Sequence, residues 1–314
     1  MINESRKGVY LAALAALVSG VSIFINKFAV DSIKPPLLFI SVKNVGVGLL
    51  VLAIIIVAGK WRGVRNLKRL DYVYLLLIAV IGGSLPFYLF FTGLSHIPAI
   101  NGAIIQKTLV LWVAVLALPF LKEKLSKKQF FAIMLLFTGN LLIGGFKGFK
   151  FSQGEFYVLL ATILWSVETV LAKKILSRVD SDLVIGFRMG LGSAILLTAT
   201  ALTSPTPFTK GLSLTSIQWF WLLLTTSTLL VYVMTWYRAL KLAPATTVTS
   251  VMVASTLVTN ILSAVFVTHT WNVLMVVQAV FMILGIMLFI SAEKSPRPSL
   301  STMTAFPPRP QSKF

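Results

Sequence analysis

Residues 75–91 read LLLIAVIGGSLPFYLFF, an apolar stretch without a single charged residue, and this stretch decides the fold class. A second long stretch runs from Ile217 to Met234. Neither alternates apolar and polar residues as the strands of a membrane barrel do. In hydrocarbon only helices and closed barrels satisfy their own backbone hydrogen bonds, so long continuous stretches favour helices. The sequence therefore predicts an all-α membrane protein.

The composition excludes an ordinary soluble fold. Charged residues make up 12% of the 314 residues, against roughly 25% in soluble domains, and apolar residues make up 57%. The mean hydropathy is +0.90. We assign the net charge of +19 to cytoplasmic loops and tails rather than to a nucleic-acid site, because basic residues are not interleaved with exposed aromatics. The chain has no cysteine, and His96 and His269 form no metal-ligand pattern, so we expect no cofactor or metal.

Ten apolar blocks of about 20 residues are long enough to cross a bilayer. They cover residues 8–30, 36–58, 72–94, 98–120, 127–146, 154–176, 183–203, 217–238, 244–267 and 271–292. With the N-terminus inside, the outer loops hold only four of the 28 basic residues, namely Lys34, Lys147, Lys150 and Lys210. Another group lies inside spans and consists of Lys27, Lys43, Lys107 and Arg188. All other basic residues face the cytoplasm, which predicts an N-in/C-in topology in the inner (plasma) membrane.

An internal repeat divides the chain into two similar parts. A shift of 146 residues aligns Pro98-Ala99 with Pro244-Ala245, and Gly139 with Gly285. Because each repeat has an odd number of spans, we expect two inverted five-helix repeats, a plan common in secondary transporters. The predicted segments are a cytoplasmic N-terminus (1–7), the first five-helix repeat (8–146), an external connecting loop (147–153), the second five-helix repeat (154–292) and a disordered Pro/Ser-rich cytoplasmic tail (293–314).

Three motifs resemble those of the drug/metabolite transporter (DMT) superfamily, in particular its EamA-type branch. They are Trp165-Ser166 followed by Lys173; a basic residue early in the second span of each repeat, Lys43 and Arg188; and Ile97-Pro98-Ala99 followed by Glu123 and Gly139. The chain departs from the pattern at Val18-Ser19-Gly20, where a Trp is usual, at His269, which replaces a Glu, and near Val110 and Thr256, where a mid-span proline is missing. The resemblance implies a ten-helix transporter of small solutes and leaves the solute open.

Charged residues inside spans are the first candidates for a binding site, because an ionisable group near the bilayer centre costs at least ~2.5–3.5 kcal/mol. Lys107 lies roughly 13 Å into its span and is expected to line a cavity. Glu168 lies roughly 9 Å from the cytoplasmic edge. We expect it to receive protons, to bind a substrate amine, or to pair with Lys107 or Arg188. Lys43 and Arg188 are equally consistent with a substrate site and with a structural or lipid-phosphate contact.

Polar and aromatic neighbours complete the predicted cavity. Asn101 and Gln106 precede Lys107 on the same helix. The aromatic residues that we expect to form flat apolar walls are Trp112, Trp165, Tyr88, Tyr232 and Trp236. The alternative for these aromatics is a place at the lipid interface, where Trp and Tyr also gather.

These features predict a secondary transporter that exports a small organic metabolite, such as an amino acid or another carboxylate-bearing solute, because cations outnumber carboxylates within the spans. One alternative is an exchanger of phosphorylated sugars or nucleotide sugars, which needs two cations converging on a phosphate. A second alternative is an accessory membrane subunit. The sequence contains neither a nucleophile motif nor a GxxxxGK[ST] loop, so we do not expect an enzyme. The expected partners are the solute and a bilayer with anionic cytoplasmic lipids; a homodimer is left open.

Overall fold

The computed structural model describes residues 4–142, 148–203, 205, 214–271 and 273–293, and within these residues every regular element is a helix. We number the helices α1 to α10. They are α1 Glu4–Ser32, α2 Pro36–Val57, α3 Arg69–Gly83 with Leu85–Leu94, α4 Ala99–Lys107 with Leu109–Phe120, α5 Lys127–Leu141, α6 Gln153–Ile175, α7 Ser181–Gly186 with Phe187–Leu191 and Gly192–Thr203, α8 Ser216–Leu242, α9 Ala245–Met252 with Ala254–Ser263 and Ala264–Thr268, and α10 Val273–Glu293. A short 3₁₀ helix, Lys60–Asn66, lies in the loop between α2 and α3.

Nine of these helices are long and apolar enough to cross a membrane, counting only the residues that the structure describes. The exception is α5, which has 15 described residues within the predicted fifth span. The end of that span (143–146), Lys147, Lys210 and the predicted tail from residue 294 onward lie outside the described residues. The all-helical membrane fold is confirmed, whereas the count of ten spans and the N-in/C-in topology stay predictions. Large apolar side chains such as Val57 and Leu202 point outward, as hydrocarbon solvent requires.

Helix starts follow local sequence signals. Ser126 and Ser152 each form a capping box, with Gln129 and Glu155 respectively three residues later, and thereby start α5 and α6. Pro36 occupies the first turn of α2, where its missing N–H has no helical partner to lose. Each cap satisfies backbone donors that hydrocarbon could not.

The two repeats pack reciprocally along α5 and α10. A Cβ at Gly139 would lie 3.1 Å from Phe281 Cβ and 3.5 Å from Met282 Cγ, and a Cβ at Gly285 would lie 2.8 Å from Leu136 Cγ. Since Gly139 follows Leu136 on α5 while Phe281 precedes Gly285 on α10, the two helices run antiparallel. The shift of 146 carries Leu136 to Met282 and Gly139 to Gly285, so the contact maps onto itself.

A second reciprocal contact joins the ends of the repeats. Gly8, at the start of α1, packs on Ala243 in the α8–α9 turn, where an added Cβ would lie 2.7 Å from Ala243 Cβ. Gly154, at the start of α6, packs on Ile97 in the α3–α4 turn, again at 2.7 Å. The same shift relates Gly8 to Gly154 and Ile97 to Ala243. The helix directions and the exchanged contacts agree with halves inverted relative to each other.

Equivalent helices of the two repeats, α4 and α9, are interrupted in mid-course. At Thr108 and at Val253 the backbone N–H donates to the third preceding residue, at 3.0 and 3.3 Å. Thr108 Oγ1 also donates to Ile105 O at 2.6 Å, which competes with the helical bonds. The breaks therefore occur without the mid-span proline whose absence was noted near Val110 and Thr256.

Candidate functional site

Glu168 lies at the junction of three helices. It belongs to α6, and its exposed fraction is 3%. Its Oε1 accepts a hydrogen bond from the Tyr237 hydroxyl on α8 and lies 3.7 Å from Arg188 Nε on α7. Of the pairings predicted for Glu168, the structure brings it together with Arg188 and not with Lys107. Both repeats contribute to this junction, because Gly82 of α3 packs directly on Glu168 Cγ and leaves no room for a side chain.

Arg188 is a buried cation whose hydrogen bonds are only partly used. Its side chain is 11% exposed, and Nε has no hydrogen-bond partner among the described residues. Nη1 lies 3.3 Å from Met189 Sδ, a weak acceptor. The guanidinium lies over the rings of Phe87 and Tyr237, 5.9 Å from each centroid. Arg188 lies within the π-helical turn Phe187–Leu191, a local irregularity often found at functional sites.

Aromatic side chains surround this group. Trp165 Nε1 donates to Gly82 O at 3.2 Å, and its ring packs edge-on against Phe87 with centroids 5.3 Å apart. On α8, Tyr232 and Trp236 lie 6.2 Å apart. The predicted wall residues Trp165, Tyr232 and Trp236 therefore lie on the two helices that carry Glu168 and Tyr237.

Lys107 forms a second polar position at the interrupted helices. It ends the first segment of α4, and its Nζ donates to Ser255 Oγ at 3.0 Å, two residues past the break in α9. Trp112 Nε1 donates to Thr108 Oγ1 at 3.1 Å and so packs on the same break. None of the ion pairs formed by the described residues involves Lys107. Gln106 is half-buried beside it.

Lys43 is buried on α2 and donates from Nζ to Asn26 Oδ1 of α1 at 2.9 Å. The Asn26 amide in turn donates to Ser22 O at 2.6 Å. The ammonium also lies 5.1 Å from the centroid of the Phe39 ring. Lys43 thus has neutral neighbours, like Lys107, and pairs with no carboxylate of the described part of the chain.

Two predicted site residues lie in other surroundings. Asn101 Nδ2 donates to Glu155 Oε1 at 2.7 Å and to Gly148 O at 3.1 Å, so it belongs to the start of α6 and not to the Lys107 position. Tyr88 packs against the apolar cluster that includes Phe39. Their contribution to a solute cavity stays a prediction.

The sequence did not single out Tyr237, because nothing in the order of residues shows which face of α8 meets α6. It also did not reveal that Lys173 and Glu123 together bind the backbone of the α8–α9 turn, an arrangement that we call the clamp. Lys173 Nζ donates to Leu240 O and Ala243 O at 2.8 and 2.7 Å, while Glu123 Oε1 accepts from Ala245 N at 2.7 Å. The resemblance motifs contain both charged residues, but the motifs do not indicate what they bind.

A polar network joins the two repeats near helix ends. Lys60 Nζ donates to Asp182 and Asp180, the latter at 3.2 Å, and Arg238 Nη2 lies 3.3 Å from Asp182. The hydrogen bond to Asp182 raises the pKa of Lys60 above its ordinary value. The network ties the α2–α3 loop to the start of α7 and the end of α8.

Two reciprocally packed helical repeats, interrupted helices and a buried charged centre are common features of secondary transporters. A model of the EamA-like transporter family matches residues 6–145 and again residues 152–291. The chain therefore belongs to the EamA-like transporter family, as the resemblance to the EamA-type branch of the DMT superfamily implied, and it is a transporter and not an enzyme.

Known relatives agree with this assignment. The chain is 31% identical over 138 residues to an "Uncharacterized transporter" of Methanothermobacter thermautotrophicus, spanning 42% of this chain and 40% of that protein. It is 24% identical to the "Uncharacterized transporter YyaM" of Bacillus subtilis, covering 67% of this chain and 68% of that protein. It is 29% identical to YvbV of the same organism, covering 69% and 68%. One crystal structure superposes with a TM-score of 0.75 at 16% identity, over 93% of this chain and 100% of that chain, which shows a shared fold.

Proposed function

We propose that the protein is a secondary transporter for a small carboxylate-bearing metabolite, such as an amino acid, and that Arg188 binds the carboxylate. The buried Nε of Arg188, which has no hydrogen-bond partner among the described residues, is the observation that supports this most directly. A guanidinium presents parallel N–H donors that match a carboxylate, and a buried donor without a partner is costly. A solute carboxylate satisfies this requirement.

The balance of charge supports an anionic solute. Away from the helix ends, the described membrane helices carry three cations, Lys43, Lys107 and Arg188, and one carboxylate, Glu168. Only Arg188 is paired with that carboxylate, at 3.7 Å. Buried charges need partners, so uncompensated cations favour an anion over a cation as cargo.

The two inverted repeats supply the means of movement. Alternating access needs two rocking arrangements of similar energy around a fixed site, and the reciprocal contacts of Gly8 and Gly154 give equivalent closing surfaces at the two ends. We propose ten spans with both termini in the cytoplasm, in the plasma (inner) membrane, and export of the solute when its outward gradient is the larger driving force. Because the chain lacks cysteine, single cysteines at Ser95 and Ser177 test the topology. Impermeant maleimide added to intact cells should label the first and not the second.

Transport in proteoliposomes tests the substrate class. Purified wild type, Arg188→Gln and the exposed control Arg62→Gln are each reconstituted into proteoliposomes, and the vesicles are loaded with unlabelled pyruvate or L-glutamate. Uptake of the labelled solute by counterflow is then measured. Losing a hydrogen bond to a charged group costs about 1.5–3 kcal/mol, so Arg188→Gln should lower the rate at least about tenfold while Arg62→Gln transports normally. Equal rates for all three proteins would contradict the role of Arg188.

Lys107 is tested in the same assay. Lys107→Ala should also slow anion transport, whereas the exposed control Lys128→Ala should not, because only Lys107 adjoins the helix interruptions. Sugar phosphates and nucleotide sugars enter the panel as the alternative cargo. Lys107 contacts Ser255, whereas Arg188 contacts Glu168, so the two cations have different neighbours and favour the single-carboxylate cargo over a phosphate held by both.

A further inference from the structure

Glu168 and the solute proposed above are both carboxylates that Arg188 can bind. In this structure the carboxylate nearest the guanidinium is Glu168, held by the Tyr237 hydroxyl with Arg188 Nε at 3.7 Å. That separation is longer than a hydrogen bond, so the pairing is loose. We propose that Glu168 is a proton-coupling site, which takes up one proton when a solute carboxylate replaces it beside Arg188. This inference rests on the proposed function.

Charge balance requires this proton. With Glu168 ionised, the empty site holds one carboxylate and one guanidinium. Adding a second carboxylate to a buried site with a single guanidinium leaves an unpaired negative charge, which hydrocarbon surroundings disfavour strongly. If Glu168 becomes a neutral carboxylic acid, the solute and Arg188 form the only ion pair. The protonated Glu168 retains hydrogen-bond contact with Tyr237, since a phenol both donates and accepts.

Other charged groups do not substitute for Glu168. Tyr237 and Tyr232 of α8 and Arg188 of α7 are the titratable or charged neighbours that interact with Glu168. From α4, Lys107 donates to Ser255 of α9 instead. The described part of α3 has one carboxylate, Asp71, and it pairs with Arg178 at 2.6 Å.

The step forms and breaks no covalent bond except the O–H bond of Glu168. One proton comes from the aqueous side to which the site is open, and it leaves with the solute on the other side, after which Glu168 again faces Arg188. For a monocarboxylate, one proton and one negative charge cross together. The cycle is electroneutral, so the direction of net flux follows the sum of the solute and proton gradients.

Two measurements on the full-length protein test this proposal. Infrared difference spectra before and after addition of L-glutamate, recorded on proteoliposomes at constant neutral pH, should show a new carboxylic-acid band in wild type and in Glu155→Gln. That band should be missing from Glu168→Gln. Glu155 is the matched control, being the other buried glutamate of α6. A difference spectrum of Glu168→Gln identical to that of wild type would overturn the proposal.

The second measurement uses labelled pyruvate and L-glutamate in proteoliposomes that are alkaline inside. In wild type, the ratio of internal to external anion concentration should rise about tenfold for each unit of pH difference. This ratio should not change when a potassium diffusion potential is applied. Glu168→Gln should show counterflow exchange but no accumulation, and Glu155→Gln should accumulate like wild type. Accumulation by Glu168→Gln would refute the proposal. If wild type moves neither probe, the carboxylate-transport proposal fails. If wild type exchanges a probe by counterflow but does not accumulate it with the pH difference, the proton-coupling proposal alone fails.

Discussion

The clamp on the α8–α9 turn should be worth several kcal/mol of stability, and Lys173→Met measures its cationic half. Methionine keeps an unbranched side chain and removes the ammonium. Lys173 Nζ donates to Leu240 O at 2.8 Å, to Lys241 O at 3.3 Å and to Ala243 O at 2.7 Å. These carbonyls end α8 and adjoin the turn, where a cation also interacts favourably with the helix dipole.

The magnitude follows from these contacts. A hydrogen bond to a charged group contributes about 1.5–3 kcal/mol, and a cation at a helix C-terminus about 0.3–1 kcal/mol. Three bonds from one ammonium do not add, and Lys173 is partly exposed, so water replaces part of the loss. The free energy of unfolding should therefore fall by about 2–4 kcal/mol.

Equilibrium unfolding in detergent micelles, followed by circular dichroism, measures the loss. Lys128→Met is the control, because Lys128 is exposed. The double variant with Glu123→Gln measures coupling across the turn, since Glu123 binds the first backbone N–H groups of α9. A loss of unfolding free energy in Lys173→Met no larger than that in Lys128→Met would contradict a stabilising role of the Lys173 ammonium.

Further substitutions probe the packing and polar contacts. Gly139→Val should destabilise by about 1–3 kcal/mol through overpacking of α5 against α10, read as a lower melting temperature. Tyr237→Phe should cost about 1–3 kcal/mol, because the buried Glu168 loses its hydroxyl donor, and chemical unfolding checks the value. Lys60→Gln should cost about 0.2–1 kcal/mol at neutral pH. Because the folded pKa of Lys60 is raised, its contribution persists below the unfolded value of 10.5 and is lost as the pH rises beyond it, so melting curves of variant and wild type should converge there.

Much of the fold could be predicted from the sequence, because hydrocarbon imposes simple rules. Apolar stretches as long as 75–91 must form helices, and the structure has nine helices of sufficient length within the described residues. The repeat was visible because Gly139 and Gly285 both occupy close helix contacts, which only a small residue permits. The breaks in α4 and α9 could not be predicted, because they depend on local bonds such as that of Thr108 rather than on proline.

The candidate site was predictable in its residues but not in its pairings. A charge inside a span is costly wherever it points, so Lys107, Glu168 and Arg188 could be singled out by depth alone. Which of them meet depends on the rotation of each helix about its axis, and that is set by packing across the repeats. The pairing of Glu168 with Arg188 and the donor role of Tyr237 therefore required the structure.

A thermal-shift titration measures directly whether a carboxylate solute binds at Arg188. Purified wild type, Arg188→Gln and Arg62→Gln are each melted over a series of pyruvate and L-glutamate concentrations. A solute that binds only the folded state stabilises it by RT ln(1 + [L]/Kd). We expect a concentration-dependent rise in melting temperature for wild type and Arg62→Gln that is lost in Arg188→Gln. An equal rise in all three proteins would contradict it.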